Sequence, residues 1–190
     1  MRIAVYGGSF NPPHVGHAMV AGWLRWADRA DEVWLVPAYE HPFDKPNAPF
    51  EDRLALCVEL AEAVGPWVRA CPIERDLPRP SYTIRTLDHL ATRHPGASFR
   101  LVVGADVLAE APKWRAWDQI AATYGPILVG RAGWPVPDGA IAFADVSSTE
   151  VRRRVAAAGS IEGLVIAKSA ARIAEIYSSF GSSPRKPTAS

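Results

Sequence analysis

The sequence predicts a doubly wound α/β fold: a mostly parallel sheet covered by helices on both faces, with a small helical part toward the C-terminal end. Three observations predict it. Apolar runs of strand length alternate with stretches of helical periodicity, the signature of βαβ units. The strand-like runs are nearly continuous in apolar residues, as strands covered on both sides should be. The chain of 190 residues is 48% hydrophobic and 22% charged, a size and composition that suit one unit with a sizeable core. That unit is expected to span residues 1–180, and 181–190 (GSSPRKPTAS) has the composition of a flexible tail.

The elements follow in order. A first strand over residues 2–6 runs into Gly7-Gly8, and a helix over 15–28 follows, with Asn11 as its expected N-cap and prolines suited to a first turn. Trp23 and Trp26, three apart on that helix, are read as core. A second strand at 32–36 precedes a helix at 50–64. A third strand at 67–72 precedes a helix at 81–94, for which Ser81 is a candidate cap. A fourth strand at 99–103, a helix at about 117–124, a fifth strand at 126–129 and a short run near 141–144 come next. Ser147 and Glu150 make a capping box for a helix at 148–158, and a last helix falls at about 169–178.

Charge and cysteines narrow the function. With 21 basic and 20 acidic side chains the net charge is +1. That argues against a nucleic-acid binder or a polybasic membrane binder, whose affinity rests on a positive field. Any anion site must therefore be local. Cys57 and Cys71 form no CxxC pair and lie in apolar stretches, so they read as buried free thiols of a reducing compartment. No signal-peptide pattern opens the chain and no apolar run has the length of a membrane span. A cytoplasmic protein is expected, with homo-oligomerisation left open.

Doubly wound folds bind ligands beyond the carboxyl ends of their strands, so the loops after Tyr6, Val36, Pro72, Val103 and Ala144 matter most. The first reads Gly7-Gly8-Ser9-Phe10-Asn11-Pro12-Pro13-His14-Val15-Gly16-His17. Its glycines let a ligand approach the backbone, and a helix start behind them offers free N–H groups and a positive dipole end to an anion. His14 and His17 share one face of that helix. GxxxxGK[ST], GxGxxG and GxSxG are all absent. The alternative reading of the two histidines is one cap and one core residue; zinc binding by HxxH lacks a third ligand. Near the end, Ser147 and Glu150 are explained by capping. Arg152 is not, because a cation gains nothing near the positive end of a helix unless an anion binds there; Arg153 and Arg154 read as a solvated face.

GGSFNPPHVGH after the first strand and SSTEVR before a late helix together resemble the HxGH-type nucleotidylyltransferases. Pro80-Ser81-Tyr82-Thr83-Ile84-Arg85-Thr86-Leu87, and Gly104-Ala105-Asp106 followed by Trp114-Arg115-Ala116-Trp117, narrow the likeness to bacterial nicotinate (nicotinamide) mononucleotide adenylyltransferases over roughly residues 1–165. The resemblance implies a Rossmann-like nucleotidylyltransferase fold and adenylyl transfer from ATP to the 5′-phosphate of nicotinate mononucleotide, giving deamido-NAD and pyrophosphate. It implies that Gly8, Ser9, Phe10 and Gly16, with His14 and His17, hold the ATP phosphates, and that Ser148, Thr149 and Arg152 grip them from the other side. Lys45 would swing over the triphosphate, and Gly104 and Asp106 would meet the adenosine. Thr83 and Ile84 would meet the acceptor, with Trp114 stacked on its pyridine ring and the Arg115 backbone near the ring substituent. Mg²⁺ would be held by the ATP phosphates and by no dedicated protein site. Ser81 and Asp106 as caps, and Trp114 and Trp117 as packing, remain the alternatives. ATP and a pyridine mononucleotide are the implied partners; nucleic acid and membrane are not. The chain departs from the family pattern at Tyr39-Glu40-His41-Pro42-Phe43-Asp44-Lys45-Pro46, near the triphosphate and acceptor, and at Leu164-Val165-Ile166, near the last helix. The rival readings are the same chemistry on nicotinamide mononucleotide or phosphopantetheine, and a catalytically silent dinucleotide-binding protein.

Overall fold

The computed structural model describes residues 1–40, 47–108, 110–131, 135, 141–143 and 146–180. Strands β1 (Arg2–Gly8), β2 (Glu32–Pro37), β3 (Val68–Ala70), β4 (Ser98–Gly104), β5 (Ile127–Arg131) and β6 (Ala142–Phe143) form one sheet in the order β3-β2-β1-β4-β5-β6. Every pairing among the described residues is parallel, so the mostly parallel sheet of the sequence reading is here parallel throughout. The order reverses between β1 and β4. That reversal splays the flanking loops apart at the strands' carboxyl ends and opens a crevice there.

Alternation along the strands feeds two apolar layers. Ala4, Val33, Leu35, Val102 and Val129 pack on one face against Val20, Ala21 and Leu24 of α1 (Val15–Trp26) and Cys57, Leu60 and Ala61 of α2 (Phe50–Val64). Ile3, Val5, Trp34, Val36, Leu101 and Val103 pack on the other against Ile84, Leu87 and Leu90 of α3 (Thr83–Arg93) and Ile120 and Tyr124 of α5 (Trp117–Tyr124). A short α4 (Ala105–Leu108) leaves β4 directly. The C-terminal helices α6 (Ser148–Ala156) and α7 (Ala170–Phe180) build a third cluster, in which Val151, Ile161, Val165, Ile173 and Tyr177 close over Ala48 and Leu56. Each such buried aliphatic side chain contributes about 1.5–3 kcal/mol.

Several local expectations change. The first helix ends at Trp26, and Asp28 beyond it turns left-handed at φ 53°. Its N-cap is His14, not Asn11, because Asn11 is committed elsewhere, as described below. Trp26 is 75% exposed and is not core; it stands nearly opposite the fully buried Leu24 on the helix, while Trp23 packs on the core edge. The third strand is shorter than 67–72, since Pro72 leads into a 3₁₀ turn at Ile73–Asp76. Ser81 does not cap α3, whose N-cap is Tyr82 with no side-chain cap bond. Cys57 is a buried free thiol as expected, whereas Cys71 is only partly buried. The tail at 181–190 lies outside the described residues.

Candidate active site

The crevice at the sheet's reversal is a small cleft of about 120 Å³, partly open to solvent. Tyr6 and Gly104 line it from the ends of β1 and β4, Gly130 from β5, Phe143 from β6 and Val146 from the approach to α6. His14, Gly16 and His17 line it from the start of α1. The chain reaches them through a tight turn in which Phe10 is left-handed at φ 44°, a costly conformation outside glycine. What holds it is burial: the Phe10 ring is 2% exposed and packs edge-on to Tyr6 at 5.7 Å and against His17 at 4.9 Å.

The two histidines form a reciprocal cap. The His14 N–H donates to His17 Nδ1 at 3.1 Å, and the ring centroids lie 3.8 Å apart with the planes tilted by 37°. Because Nδ1 accepts, the neutral His17 ring carries its proton on Nε2. A Cβ on Gly16 would stand 3.0 Å from the His14 ring, so glycine is what allows the ring to lie over the first turn. His14 is thus the N-cap, and both histidines line the cleft.

Asn11 is the knot of the site. It is 5% exposed, and its Oδ1 accepts from the Ala48 N–H at 3.1 Å and from the Tyr177 hydroxyl at 2.7 Å. Its backbone carbonyl accepts from Arg152, whose other arm donates to Thr149 Oγ1 at 3.3 Å. The Ser148 hydroxyl donates to the Pro12 carbonyl at 2.7 Å. One short turn thus fixes the starts of α1, α2 and α6 and the end of α7. The capping box holds as expected: the Glu150 N–H donates to Ser147 Oγ at 3.2 Å. The Glu150 carboxylate takes Arg153 at 2.7 Å and Arg154 at 2.8 Å, and these bonds hold it down at about 2. The three arginines are therefore divided: two serve Glu150, and Arg152 turns to the cleft loop.

Two residues that sequence reasoning missed support this loop. Arg53 is 1% exposed and donates to the carbonyls of Ala48, Ser9 and Ala38, each at 2.8 Å. It clamps the loop after β1 to the loop after β2. Its signal in the sequence was an arginine in register with Leu56, Cys57 and Leu60 on the apolar face of α2. Glu74 is 9% exposed and accepts from the Tyr39 N–H and the Thr86 hydroxyl, both at 3.1 Å. Burial pushes its carboxyl up from the ordinary value, and the bonds from Ser81, Tyr39 and Thr86 oppose that.

The segment implied for the acceptor assembles on the α3 and α5 side of the same carboxyl edge. Thr83 opens α3, and Ile84 is 7% exposed with its side chain in the core, which leaves its backbone as the part able to meet a ligand. Ser81 pairs with Glu40 through the backbone at 3.2 Å. Trp114 and Trp117 meet edge-to-face at 6.0 Å and rest on the second apolar layer. Arg115 lies over the Tyr82 ring at 5.0 Å, so the two segments named from sequence touch. Gly104 is at the cleft; Asp106 lies in α4, with its side chain outside the described residues, as is all of Lys45.

A family model described as cytidylyltransferase-like matches residues 5–154. A probable nicotinate-nucleotide adenylyltransferase of Anaeromyxobacter sp. (strain K) is 48% identical over 167 residues, covering 86% of this chain and 89% of the relative. The chain belongs to the nicotinate-nucleotide adenylyltransferase family. A second family member, from Myxococcus xanthus (strain DK1622), is 37% identical over 172 residues and 90% of each chain. The fold is likewise that of the Plasmodium falciparum nicotinic acid mononucleotide adenylyltransferase complexed with NaAD. There the TM-score is 0.78 at 17% identity, over 93% of this chain and 97% of that one. Members of the family are thus matched along nearly their whole length.

Proposed function

We propose that this chain is the enzyme that joins ATP to nicotinate mononucleotide, forming deamido-NAD and releasing pyrophosphate in NAD biosynthesis. The family membership supports the reaction class, and one observation carries the assignment of the site. The start of α6 is bolted through Ser148 and Arg152 to the carbonyls of Pro12 and Asn11, in the turn that leads into α1, and His14 and His17 at the start of α1 line the cleft.

In this reading ATP lies in the cleft with its adenosine toward Gly104 and Asp106 and its phosphates over Gly8, Ser9, Phe10 and Gly16. His14, His17, Ser148, Thr149 and Arg152 meet the phosphate oxygens, and Lys45 reaches them from the loop after β2. The acceptor rests on Thr83, Ile84, Trp114 and Arg115. An oxygen of its 5′-phosphate forms a bond to the α-phosphorus as the bond from that phosphorus to the β-bridging oxygen breaks. The attacking oxygen is already an anion, so no side-chain base is needed. The work left to the protein is positioning two anions and stabilising the charge that moves onto pyrophosphate. His17 Nε2–H, the N–H groups at the start of α1 and the Arg152 guanidinium are donors of that kind. Mg²⁺ comes as part of the ATP complex and neutralises triphosphate oxygens. Residues 1–180 act as one catalytic unit. A cytoplasmic location fits the two free thiols, and no helix among the described residues is long and apolar enough to cross a membrane.

The test follows pyrophosphate release from Mg·ATP with nicotinate mononucleotide, nicotinamide mononucleotide and phosphopantetheine in parallel. Fastest release with the nicotinate compound is expected. Release with phosphopantetheine alone would assign the rival acceptor, and silence with all three would leave a binding protein.

A further inference from the structure

One peptide unit at the exit of β2 is gripped at both ends. The Ala38 carbonyl accepts from Arg53 at 2.8 Å, and the Tyr39 N–H of the same peptide donates to Glu74 at 3.1 Å. A buried cation thus holds the oxygen and a buried carboxylate the nitrogen. Neither side chain stops there. Arg53 also donates to the Ser9 carbonyl, at 2.8 Å, in the loop after β1. The other Glu74 oxygen accepts from the hydroxyl of Thr86, a buried residue of α3, at 3.1 Å. The Ala38 N–H adds a bond to the Gly8 carbonyl at 2.9 Å. These bonds make one chain from Ser9 through Arg53, the 38–39 peptide and Glu74 to Thr86. It crosses from the face of the sheet covered by α2 to the face covered by α3.

We infer that Arg53 and Glu74 are positioning residues: through the 38–39 peptide they set the distance between the loop proposed to hold the ATP phosphates and the segment proposed to hold the acceptor. This rests on the reaction proposed above. Burying a guanidinium and a carboxylate forfeits much solvation, and a peptide at a strand exit can be left to water. Two such groups spent on one peptide mark a place that the fold holds fixed. Bonds at both ends keep the peptide plane from turning, which makes the link stiff. Stiffness matters here because the two substrates are carried by different elements, the turn into α1 and the start of α3, on opposite faces of the sheet. The attacking oxygen and the α-phosphorus meet only if those carriers keep their spacing, and a shift of about 1 Å can cost about 10²-fold in rate.

The experiment measures kcat with both substrates saturating, and the Kd of Mg·ATP and of nicotinate mononucleotide each alone, below the unfolding midpoint of every variant. Glu74→Ala cuts the link at the carboxylate. Glu74→Gln can keep both bonds, its carbonyl accepting from the Tyr39 N–H and its amide donating to Thr86 Oγ1. Glu74→Ala should lower kcat about tenfold or more with each Kd within about threefold of wild type, and Glu74→Gln should bring kcat back to within about threefold. Thr86→Val keeps the branched shape and deletes only the hydroxyl. It should lower kcat about threefold or more, and should add nothing to Glu74→Ala in the double variant, because both cut one link. If Glu74→Ala fails to fold, Thr86→Val decides alone. A kcat unmoved in Glu74→Ala and Thr86→Val, a loss seen only in the Kd for the acceptor, or a glutamine variant as slow as the alanine one would overturn the relay and leave the reaction standing. A wild type that releases no pyrophosphate from this substrate pair would overturn the reaction as well.

Discussion

At the scale of single residues, the site works by giving each polar group a second task. His17 accepts the His14 N–H through Nδ1 and so presents Nε2–H as a donor. Replacing His17 with alanine should cut kcat by about 10²–10³, the usual cost of one preorganised donor to a charged transition state, while the far-UV circular dichroism stays that of the wild type. Turnover equal to wild type would remove His17 from the chemistry. Asn11 and Tyr177 make the complementary case. Tyr177→Phe keeps the ring in its apolar cluster and deletes the hydroxyl that donates to Asn11 Oδ1, so thermal or denaturant unfolding should show a loss of about 1 kcal/mol. The same variant should raise KM for ATP, since the turn after β1 and Arg152 hang on Asn11 and are proposed to meet its phosphates; an unchanged KM would confine Tyr177 to stability.

At the scale of elements, two helix starts define the cleft, and they are secured differently. The start of α1 is capped by its own histidines, that of α6 by Ser147 within and by Ser148 across to Pro12. Ser147→Ala should cost about 1 kcal/mol of stability as an ordinary cap loss. Ser148→Ala should cost activity more than stability, because it loosens α6 from the loop it faces; comparison of unfolding midpoints with kcat/KM for ATP separates the two. Much of this was readable from sequence. The alternation of strands and helices gave the layers, the capping box gave α6, and a glycine and two histidines after the first strand gave the cleft. What stayed hidden was long-range bonding. Asn11 looks like a cap because its residue type favours caps, yet its partners lie 37 and 166 residues away. Ser81 misled for the same reason, and Trp26 because spacing alone does not say which helix face turns inward. Glu74 carried no signal, since a carboxylate in a polar segment is normally exposed.

At the scale of the whole molecule, the sheet puts the reversal of strand order, the glycine-rich loop and the start of α6 at one edge, and both apolar layers behind them. The opposite edge is tied by Arg2 to Asp31, and that bond holds the Asp31 carboxyl at about 2; Glu150 is held there too by its arginines. Carboxylates whose folded values are depressed add stability that is fully present above the ordinary carboxylate range and is lost as the pH falls toward 2. Unfolding free energy should therefore drop across that window, and Asp31→Asn should flatten the drop; an equal slope in the variant would assign acid sensitivity elsewhere. The central claim, adenylyl transfer at the β1–β4 crevice, is tested most directly by following the phosphorus. ATP labelled at the α-phosphorus, incubated with Mg²⁺ and nicotinate mononucleotide, should place its label in deamido-NAD, and ATP labelled at the γ-phosphorus should place it in pyrophosphate, with neither transfer in His17→Ala on the same timescale. An α label that remains in ATP or appears in AMP alone, with no labelled dinucleotide, would contradict it.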